Sequence, residues 1–582
     1  MTHSTSQAAS VSTLQRAAFV GTTTMKSTGT ATSDTTSSNQ KTEIREDPIE
    51  DDEGIPRDAA RGNESHAAPA GGNKQIVADA TVPGFNGLSH ADQRLADNGN
   101  QFSLEPPDQA LCVGNGYVLE SINTALRVYH TDGTPATGTI AINPFFGLSS
   151  EIIRSTLTFG DFTSDPKCYY DAATQRWFVS ILQADVAPST GDFTGQTSVM
   201  LAVSTSNDPT GSWNIFKIDT TDGDGSLPGH PDCPCLGDQP LIGADANGFY
   251  VTTNEFPLFA DGFNGAQVYA MSKSALESGS SLNVVHINAG AMPTPDTGGI
   301  WYSIQPATVP AGGSYESAAG GTEYFLSALQ FSSDNPFDNR IAAWALTNTS
   351  SLGNASPSVS LSHVIVNSEV YGQPPNAQQK SGSRPLAEKN LFAAIGFQAP
   401  TPPLALLAGN DDRMNQVVFA DGKLWSGVNT ATATDGVVAI AYFIVTPSMS
   451  GSTLSAAMTN QGYIANGRNS VLYPSIGVTP AGNGVVTFTV AGKDYYPSAG
   501  YATIDATNGA GDVHIASAGV LPEDGFTGYP VIAGGDGVSR WGDYSAAVAD
   551  ENGNVWFATE YIPGGPRTIL ANWGTFVGHL HP

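Results

Sequence analysis

Four aspartates, Asp108, Asp165, Asp238 and Asp543, hold the same place at the start of four copies of a recurring segment. Three of the 14 arginines, Arg413, Arg468 and Arg540, stand at or a few residues before that place. Tyr473 and Tyr544 follow Arg468 and Arg540 closely. If the fold gathers these positions, two chemistries open. Carboxyl groups on either side of a glycosidic bond, or a tyrosine nucleophile with a carboxylate beside it, hydrolyse that bond. Guanidinium groups in a semicircle grip a carboxylate bidentately. Beside such a grip, a tyrosine base suits a lyase acting on a uronate. The bland alternative is that Asp and Arg pair across neighbouring segments and only hold the fold.

A second group of ligating residues is Asp219-Thr-Thr-Asp222-Gly-Asp224-Gly. Alternating Asp and Gly suits Ca²⁺, which takes several oxygens on a pliable turn. The 12-residue EF-hand spacing is absent, so a solvated acidic turn competes with a calcium loop. Ca²⁺ is the one cofactor the sequence suggests. The next segment, His230-Pro-Asp-Cys233-Pro-Cys235, reads as a loop with weak metal-binding character. With Cys112 and Cys168 it completes an even set of four cysteines, open to disulfides or buried thiols. No G-x-S-x-G, HExxH, P-loop or dinucleotide motif stands in a fitting context.

The elements that must position these residues follow from the repeats. Copies start at Asp108, Asp165, Asp238, Arg413, Tyr473 and Asp543, with a degenerate copy near Ile304. Each is a short apolar strand, a Gly/Asn/Asp turn and a strand with an aromatic. The intervals leave room for a four-stranded antiparallel unit. One unit cannot bury both faces alone, so seven are expected to close radially. The expected fold is therefore all-β: a seven-bladed β-propeller of four-stranded antiparallel blades over residues 73–582. The first strand of each blade would line a central channel, with its lead-in at the mouth. Few residues follow Asp543, so a strand near Gln75–Val82 is expected to complete the last blade. The stretch Pro385–Gly396 is the best short helix. The excursion from Gln373 to Asn410 is expected over the mouth. Residues 1–72 are Ser/Thr-rich, then acidic, and are expected to be a disordered tail or leader.

Composition excludes several roles. Lys plus Arg is 24 against 54 Asp plus Glu, a net charge of −30. Such a chain is a poor partner for phosphate backbones and anionic membranes. No apolar run reaches the length of a membrane span. The N-terminus lacks the apolar core of a signal peptide. The even cysteine count and Lys-poor composition nonetheless fit an exported, extracellular or cell-surface protein. A monomer is expected.

Ser206-Asn-Asp208-Pro-Thr-Gly211-Ser-Trp213 resembles the Asp-box of sialidase-like propellers, Ser-x-Asp-x-Gly-x-Thr-Trp. It has one extra residue before the glycine and Ser in place of Thr. With NDDRMNQVVFADGKLW from Asn410, YPSIGV from Tyr473 and RWGDYSAAVAD from Arg540, residues 100–565 look like exported bacterial propellers related to sialidases. The resemblance implies the propeller fold and a saccharide ligand. Sialidases hold the substrate carboxylate with an arginine triad, so it also implies ligand contact for Arg413, Arg468 and Arg540. The Asp-box itself supplies no catalytic group. The leading expectation is a protein that binds an acidic saccharide at the channel mouth. A glycoside hydrolase or polysaccharide lyase on that face, and an adhesion propeller binding a protein, are the alternatives.

Overall fold

The computed structural model describes residues 12–34, 43–45, 74–78, 82–223, 230–292, 299–329, 337–389, 391, 393, 405–432, 437–529 and 537–582. They are overwhelmingly strand. Each repeat copy falls on the first hairpin of an antiparallel meander. The first meander runs through Ala110–Gly114, Tyr117–Ile122, Ala125–His130 and Ile140–Ala141. Others span residues 162–219, 235–288, 305–372, 417–464 and 469–517. The last takes Ala546–Ala549, Val555–Tyr561 and Gly574–Leu580, then receives Gly84–Ser89 from the other end of the chain. The completing strand thus lies just beyond the expected Gln75–Val82. In that window, Ile76–Ala78 instead adds to the outside of the 469–517 meander.

Local sequence explains the hairpins. Asn115–Gly116 and Asp421–Gly422 are two-residue turns with positive φ at both positions. Asn-Gly and Asp-Gly tolerate that conformation, and its twist matches the flanking strands. Ser206 to Trp213 forms another tight turn. Asp208 Oδ1 accepts from the Thr210 amide at 2.9 Å, and Trp213 Nε1 donates to the Pro209 carbonyl at 2.9 Å.

The meanders pack face to face. One apolar cluster joins residues 110–141 to 162–219 around Trp177, and another joins 162–219 to 235–288 around Phe178 and Phe249. Comparable clusters fill each later junction, and a further one joins the last meander back to the first. The first strands touch in the same cyclic order, ending with Ala546–Ala549 against Ala110–Gly114. A disulfide, Cys112–Cys168, ties the first strands of two neighbours, and Cys233–Cys235 closes a small loop.

The expectation of a disordered tail fails for the described part of residues 1–72. Ser12–Thr24 is a strand that pairs antiparallel with both Ser212–Asp219 and Leu282–Asn288. It fuses two meanders into one nine-stranded sheet. Its own side chains bury little; the two flanking strands supply its hydrogen bonds. Further on, Glu43 is fully buried between Arg94 and Arg154, 2.7 Å from the latter. Arg45 donates to the Gly160 and Gly191 carbonyls, and its guanidinium lies 5.3 to 5.6 Å from the rings of Phe102, Phe193 and Phe162. The Pro385 helix is a single turn, Pro385–Glu388, and parts of 390–404 lie outside the described residues.

Candidate functional site

A shared backbone device aims the lead-in residues. Asp108, Asp165, Gln239, Ser303, Tyr473 and Gly542 all have φ between 45° and 60°, before a first strand or in its opening half. Register slips span Asp165, Gln239 and Tyr473, at Ser164/Lys167, Asp238/Leu241 and Leu472/Ser475. Such bulges re-aim the next side chains. Positive φ is unfavourable for a side-chain-bearing residue, so each needs support. Three asparagines from the preceding meander give it. Asn123 Oδ1 accepts from the Asp165 amide at 2.8 Å, Asn254 Oδ1 from Ser303 at 2.7 Å, and Asn429 Oδ1 from Tyr473 at 2.7 Å.

The first strands enclose a chamber of about 70 Å³. By the measure that one water needs roughly 10–15 Å³, it holds a few waters or one small polar group. Its deep wall is apolar, with Val113, Ile242, Val418 and Val478. Its other end is ringed by carboxamides: Gln109, Gln239, Gln305, Asn415 and Gln416. Lys167 projects among them, over the ring of Tyr544.

Around Lys167 lie Asp108, Asp165 and Asp543, near enough for their charges to act on it. Asp543 is anchored by Arg540 at 2.9 Å. Asp108 accepts from Asn123 at 2.6 Å through Oδ2. Its Oδ1 is buried without a hydrogen-bond partner, and so is the Tyr544 hydroxyl. Burial, then the charges of Asp543 and Asp165, hold the Asp108 carboxyl well above the usual range. Burial, then Asp165 and Asp108, does the same to the Tyr544 phenol. Burial pulls the Lys167 ammonium down, against those carboxylates.

Behind Asp543 stand three more buried carboxyls, Glu105, Glu523 and Glu560. Glu560 Oε2 accepts from the Gly542 amide at 2.9 Å, and Glu105 from Thr527. Burial pushes Glu523 up to about 7, against the Ser539 hydroxyl and the Gly525 amide. Its folded pKa lies above its unfolded one, so the native state keeps a proton that the unfolded chain releases. This contribution to stability is full below about pH 4.5 and is lost as pH rises to about 7. Glu523→Gln is expected to remove that slope. Urea midpoints of wild type and variant between about pH 5 and 8 check it. Parallel pH profiles for the two would reject the assignment.

The structure thus brings together Asp108, Asp165, Asp543, Tyr544 and Arg540. Asp238 is buried close enough for its charge to act on Tyr544. Tyr473 is packed away, with its hydroxyl on the Ala408 carbonyl at 2.9 Å. The arginines do not form one grip. Arg413 spends its fork on Asp411 and donates to Gln239 at 2.7 Å. Arg468 is 72% exposed and pairs with Asp494. In the proposed calcium loop, Asp219 binds its own turn through the Thr221 amide, and Asp222 turns to His286 and His230. Asp224 lies outside the described residues. The Gln373–Asn410 excursion docks where described against residues 523–539: Gln379 accepts from the Glu523 amide, and Leu406–Leu407 pairs with Val538–Ser539. Sequence reasoning missed Lys167 and the carboxamide ring. A lysine inside an apolar first strand, in a chain with ten, was the available signal.

No family model matches the chain, and no curated protein matches it. Solved structures are similar at low identity. A protein of unknown function from Dyadobacter fermentans is 12% identical at a TM-score of 0.33, over 72% of this chain and 95% of that one. The phage phi92 endosialidase is 8% identical at 0.32, over 87% and 70%. A Hadza microbial sialidase is 9% identical at 0.34, over 80% and 76%.

Proposed function

We propose that this chain is an exported, monomeric seven-bladed β-propeller of four-stranded blades that binds a saccharide at the carboxamide end of its channel. The blade reading rests on the cyclic contact of the first strands and on an apolar cluster at every junction. Export is favoured by the pairing of all four cysteines. Among the described residues no helix is long and apolar enough to cross a membrane. The monomer reading is supported by Ser12–Thr24, which covers the outer strands Ser212–Asp219 and Leu282–Asn288 that would otherwise seek partners.

One observation carries the ligand reading. Asp108 Oδ1 and the Tyr544 hydroxyl are buried beside the chamber with no partner. Unmade buried hydrogen bonds cost about 1–3 kcal/mol each, so a ligand that completes them gains that much. Sugar hydroxyls both donate and accept, which suits a site mixing carboxyl, phenol, ammonium and carboxamide groups. Arg413 is committed to Asp411, and three aspartates crowd the site. A neutral saccharide therefore fits better than an acidic one.

A second reading, glycoside hydrolysis, has its own support. Burial holds the Asp108 carboxyl well above its usual range, while Asp543 pairs with Arg540 at 2.9 Å. Environments that push two carboxyl groups apart divide them into acid and base. Purified protein would be titrated with neutral and acidic oligosaccharides, with reducing ends followed in parallel. Tyr544→Phe, which removes one hydroxyl, is expected to weaken binding by about 10-fold, roughly 1.4 kcal/mol. Reducing ends that vanish with Asp108→Asn would turn the site into that of a hydrolase. Equal affinity of wild type and Tyr544→Phe for every glycan would remove the chamber from the account.

A further inference from the structure

Away from the chamber, at the start of the 235–288 meander, the disulfide Cys233–Cys235 spans a single intervening proline. It is not what fixes its own loop. The Cys235 amide donates to the Thr221 carbonyl at 2.8 Å, and the Leu258 amide to the Pro234 carbonyl at 2.9 Å. The Thr197 hydroxyl donates to the Cys235 carbonyl at 2.7 Å. A bridge that closes so short a loop also restricts the unfolded chain least. Polar groups, however, face both sulfurs. Glu255 Oε1 lies 3.9 Å from Cys233 Sγ. Asn264 Nδ2 lies 3.3 Å from Cys235 Sγ, and donates to Glu255 Oε1 at 2.9 Å and to the Pro231 carbonyl at 3.1 Å. Asn288 Oδ1 accepts from the Ala291 amide, which leaves its Nδ2 to donate to His230 Nε2 at 3.1 Å. His230 Nδ1 therefore carries the proton and donates to Glu255 Oε1 at 2.6 Å. Two buried donors thus hold that carboxylate oxygen beside the bridge.

We propose that Cys233–Cys235 is a redox-active disulfide that oxidises a peptide dithiol. Each sulfur already faces the group its reduced form needs. Cys235 has a donor for a thiolate, and Cys233 has an acceptor for an S–H. A disulfide whose reduced form is held in this way is the stronger oxidant. Cys233 is half-buried and Cys235 buried, so the outer sulfur takes the attack. A substrate thiolate bonds to Cys233 Sγ. The Cys233–Cys235 bond breaks, and its electron pair leaves on Cys235, toward the Asn264 N–H. The substrate's second thiolate then attacks the substrate sulfur of the mixed disulfide and releases Cys233. Two electrons have passed to the protein, and the two substrate protons end on Cys235 and Cys233. Glutathione disulfide restores the bridge by the same exchange, leaving as two glutathione thiols. Pro234 lines an open groove with Leu14, Thr194 and Thr221, which brings a peptide alongside the bridge.

Native full-length protein would be treated with dithiothreitol, alkylated and mapped by mass spectrometry. Cys233 and Cys235 are expected to take the alkyl groups while Cys112–Cys168 stays closed and the circular dichroism is unchanged. With glutathione disulfide present, a small amount of protein is expected to oxidise many equivalents of a reduced two-cysteine peptide, faster than glutathione disulfide alone. The double variant Cys233→Ser/Cys235→Ser should lose that turnover. Asn264→Ala removes the donor to the leaving thiolate. It is expected to slow opening about 10-fold and to shift the equilibrium with glutathione toward the disulfide. A bridge that opens only once urea unfolds the chain, no peptide turnover, or turnover retained by the double serine variant would overturn the proposal. So would a folded Asn264→Ala protein that matches wild type in both rate and equilibrium. Should that variant not fold, wild type and the double serine variant decide.

Discussion

Lys273→Met is expected to destabilise the protein by about 3–5 kcal/mol. Lys273 is 3% exposed and sits 2.5 Å from Asp171, whose side chain is fully buried. Its ammonium also donates to the Asp245 carbonyl at 2.7 Å and lies 5.0 Å from the Tyr315 ring. The ion pair crosses a junction between meanders, from the 162–219 unit to the 235–288 unit. Methionine keeps the length and apolar bulk of the stem, so packing changes little. What remains is a carboxylate sealed from water without its cation. Removing one partner of a buried pair costs far more than the pair is worth, because the stranded charge cannot be solvated. The double variant Lys273→Met/Asp171→Asn should therefore recover much of the loss. Urea unfolding measures both, with proteolysis rates as a substitute if refolding fails. A single variant within about 1 kcal/mol of wild type would mean water reaches Asp171 after all.

Deleting residues 1–24 is expected to make the protein self-associate. The strand Ser12–Thr24 hydrogen-bonds to a neighbour on each side. Without it, Ser212–Asp219 and Leu282–Asn288 become facing open edges. Each lost backbone bond removes about 1 kcal/mol net, and unpaired edges recruit other strands. Light scattering should detect the association, and amide exchange should quicken in both flanking strands. A peptide of residues 12–24 added in trans should slow it again. A truncated chain that stays monomeric, with unaltered exchange in both strands, would show the strand to be dispensable.

The fold was legible where the information is local. Turn pairs such as Asn115–Gly116 and short apolar runs such as Phe249–Val251 announce a hairpin within ten residues. Seven such announcements in one phase mark the units the structure displays as meanders. Asp108, Asp165, Asp543 and Tyr544 were legible for the same reason, since the lead-in is part of the repeat. The N-terminal strand was not. Its sequence, STLQRAAFVGTTT, buries only Ala17 fully, and its partners lie about 200 and 270 residues away. Arg413 and Arg468 mark another limit. Position in a repeat predicts where the backbone goes, but Asp411 and Asp494 decide where those guanidinium groups point. Lys167 escaped because one cation among apolar neighbours has no spacing to read.

The union of the two chain ends also sets a timetable for synthesis. The Thr575 hydroxyl donates to the Leu88 carbonyl across 487 positions. A ribosome adding about 5–20 residues per second takes on the order of tens of seconds to cross that interval. Throughout it, Gly84–Ser89 has no strand to join and Ala110–Gly114 has no last neighbour. The nascent chain is an open arc with an adhesive surface at each end. On a crowded polysome, those surfaces belong to many chains at the same stage. A message cut short before Gly574 would leave them open for good, and so yield a product that proteases and chaperones recognise by its unclosed ends.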